Sequence, residues 1–219
     1  MEGAQDFWSQ GDIVSHAVIV LLLAMSVGSW FTICWKGWLL RRTLADIGRA
    51  SQAFWNAPDL ASARARLLVI DREQVLLGLV DAALTEPAAG TLQARSASAS
   101  PAAQLTRRLR DSLHRSLTGL QSGQVFLASV GSTAPFIGLF GTVWGIYHAL
   151  LGIATLGGIS IDKVAGPVAE ALIMTAGGLA VAIPAVLAYN LYGKWLSQCE
   201  AELEGFALDL RDMAPADGG

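Results

Sequence analysis

The sequence predicts an all-α integral membrane protein with three transmembrane helices and long helical extensions on one side of the membrane. Three observations carry that prediction. Of the 219 residues, 53% are hydrophobic and 15% are charged, against about 25% charged in soluble domains. The missing charge is concentrated: residues 13–35 hold 23 positions without Asp, Glu, Lys or Arg, residues 116–161 hold 46, and residues 164–193 hold 30 broken only by Glu170. About 20 apolar residues suffice to cross the hydrocarbon core as a helix, so each stretch is long enough for one span.

The boundaries read as a tail at 1–12, a first span at 13–35, a loop domain at 36–123, a second span at 124–154, a connection at 155–163, a third span at 164–193 and a tail at 194–219. The 46-residue stretch is read as one helix with flanks, because Gly119–Gly123 and Thr155–Ser160 are small and polar. The first span is read as retained rather than cleaved. A leader needs a basic start, and here Glu2, Asp6 and Asp12 precede the apolar run with no Lys or Arg.

Orientation follows from the basic residues near span ends. The segment 36–123 has twelve Lys and Arg, the C-terminal tail has Lys194 and Arg211, and the other side has Lys163 alone. Fourteen against one puts 1–12 and 155–163 outside and 36–123 and 194–219 inside. Both Cys34 and Cys199 then fall on the inside, where thiols stay reduced, and neither a disulfide nor a metal site is expected. The net charge of −3 offers no basic patch for nucleic acid.

Within 36–123, Leu67, Leu68, Val69, Val75, Leu76, Leu77 and Leu79 suggest an apolar face. Residues 87–104 read as a loop. Leu105, Leu109, Leu113, Leu117 and Leu120 form a helical stripe that is expected to run unbroken into the second span. The tail 196–212 also reads as helix, with Pro215–Gly219 disordered. Trp30, Trp35, Tyr189 and Tyr192 fit interfacial aromatic belts.

Small residues let membrane helices approach closely. Gly131, Pro135, Gly138, Thr142, Gly145, Ala149 and Gly152 make a 3.5-residue seam on the second span. Ala171, Thr175, Gly178, Ala182 and Ala185 make its counterpart on the third. Thr142 lies twelve residues before Ala154 and Thr175 eleven after Val164, so both sit about 17 Å from the outer end. Two hydroxyls at one depth point to a polar ring in an oligomer, or to close packing alone. Threonine in a membrane helix often bonds only its own i−4 carbonyl. Glu170 is the lone acid within a span; such groups are costly and often functional, though a helix N-terminus also favours an acid. His148 lies at a similar depth and is a candidate partner for it. Pro135 and Pro184 need no functional reading. No catalytic constellation, Walker motif or metal-ligand spacing appears, so neither an enzyme nor a cofactor is expected.

Residues 131–147, GSTAPFIGLFGTVWGIY, and 166–190, GPVAEALIMTAGGLAVAIPAVLAYN, resemble the ExbB/TolQ/MotA family of proton-channel subunits, most closely its ExbB branch. The resemblance implies a ring, commonly pentameric, in the bacterial inner membrane, around the single span of an ExbD-like protein whose aspartate carries the proton. It implies that the motor energises a TonB-like protein for outer-membrane uptake of iron–siderophore, haem or cobalamin. It implies pore-lining roles for Thr142 and Thr175 and a gating or assembly role for Glu170. Gly177–Gly178 departs from relatives, which often have a bulkier residue in that pair. A TolQ-like role in envelope integrity and a non-conducting scaffold remain as alternatives. A MotA-like stator, normally with a fourth span, fits less well.

Overall fold

A computed structural model describes residues 12–85, 101–156 and 161–213. The described residues form α1 (Ile13–Trp55), α2 (Leu60–Ile70), α3 (Val75–Leu84), α4 (Pro101–Gln121), α5 (Gln124–Leu156) and α6 (Ile161–Met213). Three of them, α1, α5 and α6, are long and apolar enough to cross a membrane. The expected loop at 87–104 lies mostly outside the described residues, as do 1–11, 157–160 of the expected connection and the tail end 214–219; the connection is shorter than expected, since 155–156 and 161–163 are helical.

The helices outrun the expected spans. α1 continues twenty residues past Trp35, and α6 carries the third span without a break to Met213. Contacts divide the chain into two units, one of Met1–Lys36 and Gly123–Leu191, the other of Gly37–Ser122 and Tyr192–Gly219.

The first unit holds the three spans. Its polar positions are few, and its outward faces are large and apolar: Leu21, Leu23, Phe31, Phe136, Phe140, Leu172, Ile173 and Leu187 are all exposed. That pattern suits helices solvated by lipid. The buried positions are small or slender, including Val18, Leu22, Ser29, Ala134, Ala171, Ala182 and Ala185.

The second unit is a core of a different kind. Leu40, Thr43, Ile47, Ala50 and Phe54 of α1 are buried, and so are Tyr192, Leu196, Cys199, Leu203, Phe206 and Leu210 of α6. Both sets recur at alternating steps of three and four residues, the spacing of a coiled-coil seam. The pair is pinned at three levels. The Tyr192 hydroxyl fills the space beside Gly37, Arg41 lies 5.0 Å over the Trp195 ring, and the Phe54 and Phe206 rings meet edge to face at 5.1 Å. Tyr192 is therefore a core residue, 3% exposed, and not part of an interfacial belt. Its place in the 3.5-residue stripe decides this over its nearness to the span end. The buried Cys199 thiol is pushed up to about 11, chiefly by burial. With about one thiol in a thousand ionised at pH 8, a Cys34→Ser variant should resist a soluble maleimide until SDS unfolds it. Rapid labelling without SDS would place Cys199 on the surface.

α2, α3 and α4 complete this unit, with α3 packed on both neighbours. Asp59 caps α2 by accepting from the Ser62 N–H at 2.7 Å. Asp71 ends α2 and starts α3: it is 3% exposed and accepts from the Val75 N–H at 3.1 Å and the Leu77 N–H at 2.8 Å. Burial raises its carboxyl above the ordinary range, against the pull of those N–H groups. The apolar face expected from the sequence is corrected in part. Leu67, Val75, Leu76, Leu77 and Leu79 are buried, but Leu68 and Val69 are exposed. Ala63 and Leu67 mark the buried side of α2, and successive residues turn by about 100°, so Leu68 and Val69 point away from it. Arg64 closes on Asp81 with two bonds, 2.7 and 3.2 Å, and Arg42 pairs with Glu73.

The leucine stripe of α4 is buried as expected at Leu105, Leu109, Leu117 and Leu120. It does not run unbroken into the second span. Helix stops at Gln121, the Ser122 N–H turns back to the Gly119 carbonyl at 3.3 Å, and Gly123 takes φ +83°, where a side chain would be strained. The Gly123 carbonyl then receives the Leu127 N–H and opens α5.

Candidate functional site

The two small-residue seams meet each other inside one chain. A Cβ added to Gly138 on α5 would lie 2.6 Å from the Met174 carbonyl oxygen and 3.1 Å from the Cα atoms of Gly178 and Thr175 on α6. The reverse holds for Gly178, whose added Cβ would lie 2.6 Å from the Ala134 carbonyl oxygen. Gly145 faces the Ala171 side chain and Gly131 the Val186 side chain, with added Cβ atoms 2.9 and 2.5 Å from them. The pattern alone left open which helix each seam would face, with packing between identical subunits favoured; the backbones of α5 and α6 close on each other instead. Ala171 and Ala182 are buried in this contact region, at 1% and 4% exposure. Gly152 is outside it, with nothing near an added Cβ. Of the Gly177–Gly178 pair, Gly177 has room, the nearest atom to an added Cβ being Leu22 Cδ1 at 3.9 Å.

This close approach brings Thr142 and Thr175 together within one chain, a contact that their matched depths alone did not specify. Their hydroxyl oxygens are hydrogen-bonded to one another. Thr142 Oγ1 also lies 3.0 Å from the Ala171 carbonyl oxygen and 3.1 Å from that of Gly138. Thr175 Oγ1 lies 3.4 Å from the same Gly138 oxygen. Each hydroxyl has one proton and two lone pairs, so two protons are shared among two carbonyls and two hydroxyls. When Thr142 donates to a carbonyl, Thr175 can donate to Thr142 and presents lone pairs outward. When Thr142 donates to Thr175, the Thr175 proton is released for another acceptor. Rotating one O–H bond thus exchanges Thr175 between acceptor and donor. Thr142 is 8% exposed and Thr175 half-buried, so Thr175 is the member that another group can reach.

Glu170 is half-buried near the start of the third span, one residue before Ala171 in the seam. It has no hydrogen bond or ion pair among the described residues, and His148 is not its partner. Among the described residues it is Asp12 that pairs with His148, with Oδ2 3.7 Å from His148 Nε2. The same oxygen accepts from Trp144 Nε1–H at 3.1 Å, and Oδ1 accepts from the Ile13 N–H at 2.7 Å. His148 stacks beside Trp144 at 4.7 Å. Asp12 therefore caps α1 and ties its start to α5. Sequence reasoning passed over it, although an Asp directly before an apolar helix is an N-cap signal. Gly141 was also passed over. It falls outside the 3.5-residue seam, yet an added Cβ there would meet Met174 Sδ at 2.5 Å and Val18 Cγ1 at 3.0 Å.

Three membrane-length helices, two of them closed over a partly buried hydroxyl pair, define a multi-pass membrane protein. The chain belongs to the MotA/TolQ/ExbB proton channel family, whose sequence model matches residues 76–205. It is 44% identical to the biopolymer transport protein ExbB of Xanthomonas campestris pv. campestris over 94% of this chain and 83% of that protein. To the protein of the same name from Neisseria meningitidis it is 39% identical, over 93% of each chain. To the Tol-Pal system protein TolQ of Pseudomonas aeruginosa it is 35% identical, over 84% of this chain and 80% of that one.

Proposed function

We propose that the chain is the channel-forming subunit of a motor driven by the proton-motive force in the bacterial inner membrane. In this reading it assembles as a ring, a pentamer, around the single span of an ExbD-like protein. The complex energises a TonB-like protein for receptor-dependent uptake of iron–siderophore, haem or cobalamin. The observation that carries the reading is the hydroxyl pair of Thr142 and Thr175 held across the glycine seam. A hydroxyl that can switch between donor and acceptor solvates a partner's carboxyl group in either charge state, which is what a proton carrier passing through the membrane needs. Thr175 faces the partner helix from the lumen side, and Thr142 sets its proton from behind. Similarity to a Tol-Pal system protein supports a second reading, the same machine serving envelope integrity.

The test is complementation. In a strain lacking its own ExbB and TolQ, the chain with its ExbD-like partner should restore growth on a siderophore as sole iron source. Restored detergent resistance without restored growth would favour the Tol-Pal reading. Glu170 is proposed to serve assembly or gating of the ring, because it has no partner within the described residues and sits beside the seam. Glu170→Ala should abolish the restored growth. Normal growth would leave Glu170 as an acid favoured only by its helix N-terminus.

The orientation is part of the proposal: residues 1–12 and 155–163 periplasmic, 36–123 and 194–219 cytoplasmic. A reporter active only in the periplasm should work when fused at residue 3 or 158 and be silent at 80 or 210. Activity at 80 would reverse the orientation.

A further inference from the structure

We infer that α1 and α6, just past the inner ends of their charge-free runs, form a binding site for the phosphate of an anionic phospholipid, built on Arg41, Lys194 and Trp195. The inference rests on the proposed orientation for its leaflet, though not for its chemistry. Several arginines of the second unit are already engaged within the chain. Arg42 is held by Glu73, Arg49 by Asp46, Arg64 by Asp81, and Arg66 by the Ala53 and Asn56 carbonyls. Arg41 is exposed and, among the described residues, has no carboxylate or carbonyl partner. Its guanidinium carbon lies 5.0 Å over the Trp195 ring. Lys194, also exposed, adjoins Trp195 in the chain and has no partner among the described residues either.

The platform is fixed from beneath. Trp195 packs on Tyr192 with ring centroids 5.5 Å apart, and Tyr192 is buried against Gly37. A guanidinium lying on an indole keeps its in-plane N–H groups free, and those donate in pairs to a phosphate. The position decides between a lipid and a soluble anion. Arg41 follows the charge-free run 13–35 by six residues, and Lys194 directly follows the run 164–193. Trp35 and Trp38 are exposed on α1 at 46% and 60%, and indoles of this kind settle at headgroup level. Cations so placed lower the free energy of an anionic headgroup, by roughly fivefold in binding for each charge.

The full chain, purified in detergent, would be offered phosphatidylglycerol and phosphatidylcholine of one chain length, and bound lipid counted by native mass spectrometry. The wild type should prefer phosphatidylglycerol. Arg41→Gln with Lys194→Gln should reduce that preference by roughly tenfold or more, and Arg41→Lys should reduce it less. Arg107→Gln with Arg110→Gln, two exposed cations of α4, should leave it unchanged. An unchanged preference in the Arg41 and Lys194 double variant overturns the site, as does no preference in the wild type. Displacement of the lipid by millimolar inorganic phosphate would overturn it in favour of a free-anion site. Headgroup preference in detergent does not depend on leaflet. A preference lost in the double variant, together with an active reporter at residue 80, would therefore keep the site and reverse only the orientation.

Discussion

Gly138→Leu, and separately Gly178→Leu, is expected to separate α5 from α6 and leave no folded membrane unit to assemble. Overpacking a core costs about 1–3 kcal/mol when neighbouring side chains can shift. Here the atoms in the way are backbone: the Met174 carbonyl for Gly138, and the Ala134 carbonyl for Gly178. Backbone atoms of a helix cannot rotate aside, so the helices themselves must part. Parting them also breaks the bonds from Thr142 to Ala171 and to Thr175. Even Gly138→Ala should lower the thermal stability of the detergent-solubilised protein markedly. Gly152→Ala should not, because its surroundings are open. Native mass spectrometry would show the oligomer for wild type and Gly152→Ala and its loss in both leucine variants. Intact oligomers in the leucine variants would mean that the α5–α6 contact is not what holds the unit together.

Thr175→Val is expected to fold and assemble normally yet lose energised uptake. Valine keeps the branched shape and removes the hydroxyl. The carbonyls of Gly138 and Ala171 lie in continuous helices and keep their main-chain partners, so the structural cost is small. What disappears is the one switchable hydroxyl of the pair that another group can reach. In the proposed ring, an ionised carboxylate of the partner helix would then face hydrocarbon, and an unpaired buried charge is expensive. Thr142→Val should be equal or milder. Thr142 is buried behind Thr175, and without it Thr175 can still turn its proton to the Gly138 carbonyl. Thr175→Ser, which restores the hydroxyl, should recover much of the uptake that valine removes.

The spans were legible because lipid excludes charge, and soluble helices seldom run 23 or more residues without any. The matched depth of Thr142 and Thr175 was legible for a similar reason, since a helix rises by a fixed step and both distances were counted from the outer ends. What a single stripe could not tell is which helix faces it. The seams of Gly131–Gly152 and Ala171–Ala185 fit a neighbouring copy as well as each other, and only the fold pairs Gly138 with Gly178. Breaks were hidden where apolar spacing carried across them. The leucines of α4 continue in phase toward Leu127, while the interruption lies in the backbone angle of Gly123. Leu68 and Val69 misled for a different reason. Their hydrophobicity is real, but they follow Leu67 in the same helix by steps of about 100°, which turns them away from the buried side of Ala63 and Leu67. His148 was a candidate partner for Glu170 and not for Asp12, because depth along one helix does not reveal that the start of another lies beside it.

The most direct test of proton-channel function sets assembly beside activity in the same cells. Thr175→Val, Thr142→Val and the double variant would be co-expressed with the ExbD-like partner, and pull-down of the complex measured alongside growth on a siderophore as sole iron source. Undiminished pull-down is expected in all three, with no growth for Thr175→Val and the double variant and equal or weaker loss for Thr142→Val. Normal growth of all three would contradict proton conduction past the hydroxyl pair, and would make that pair part of a packing surface in a scaffold that conducts nothing.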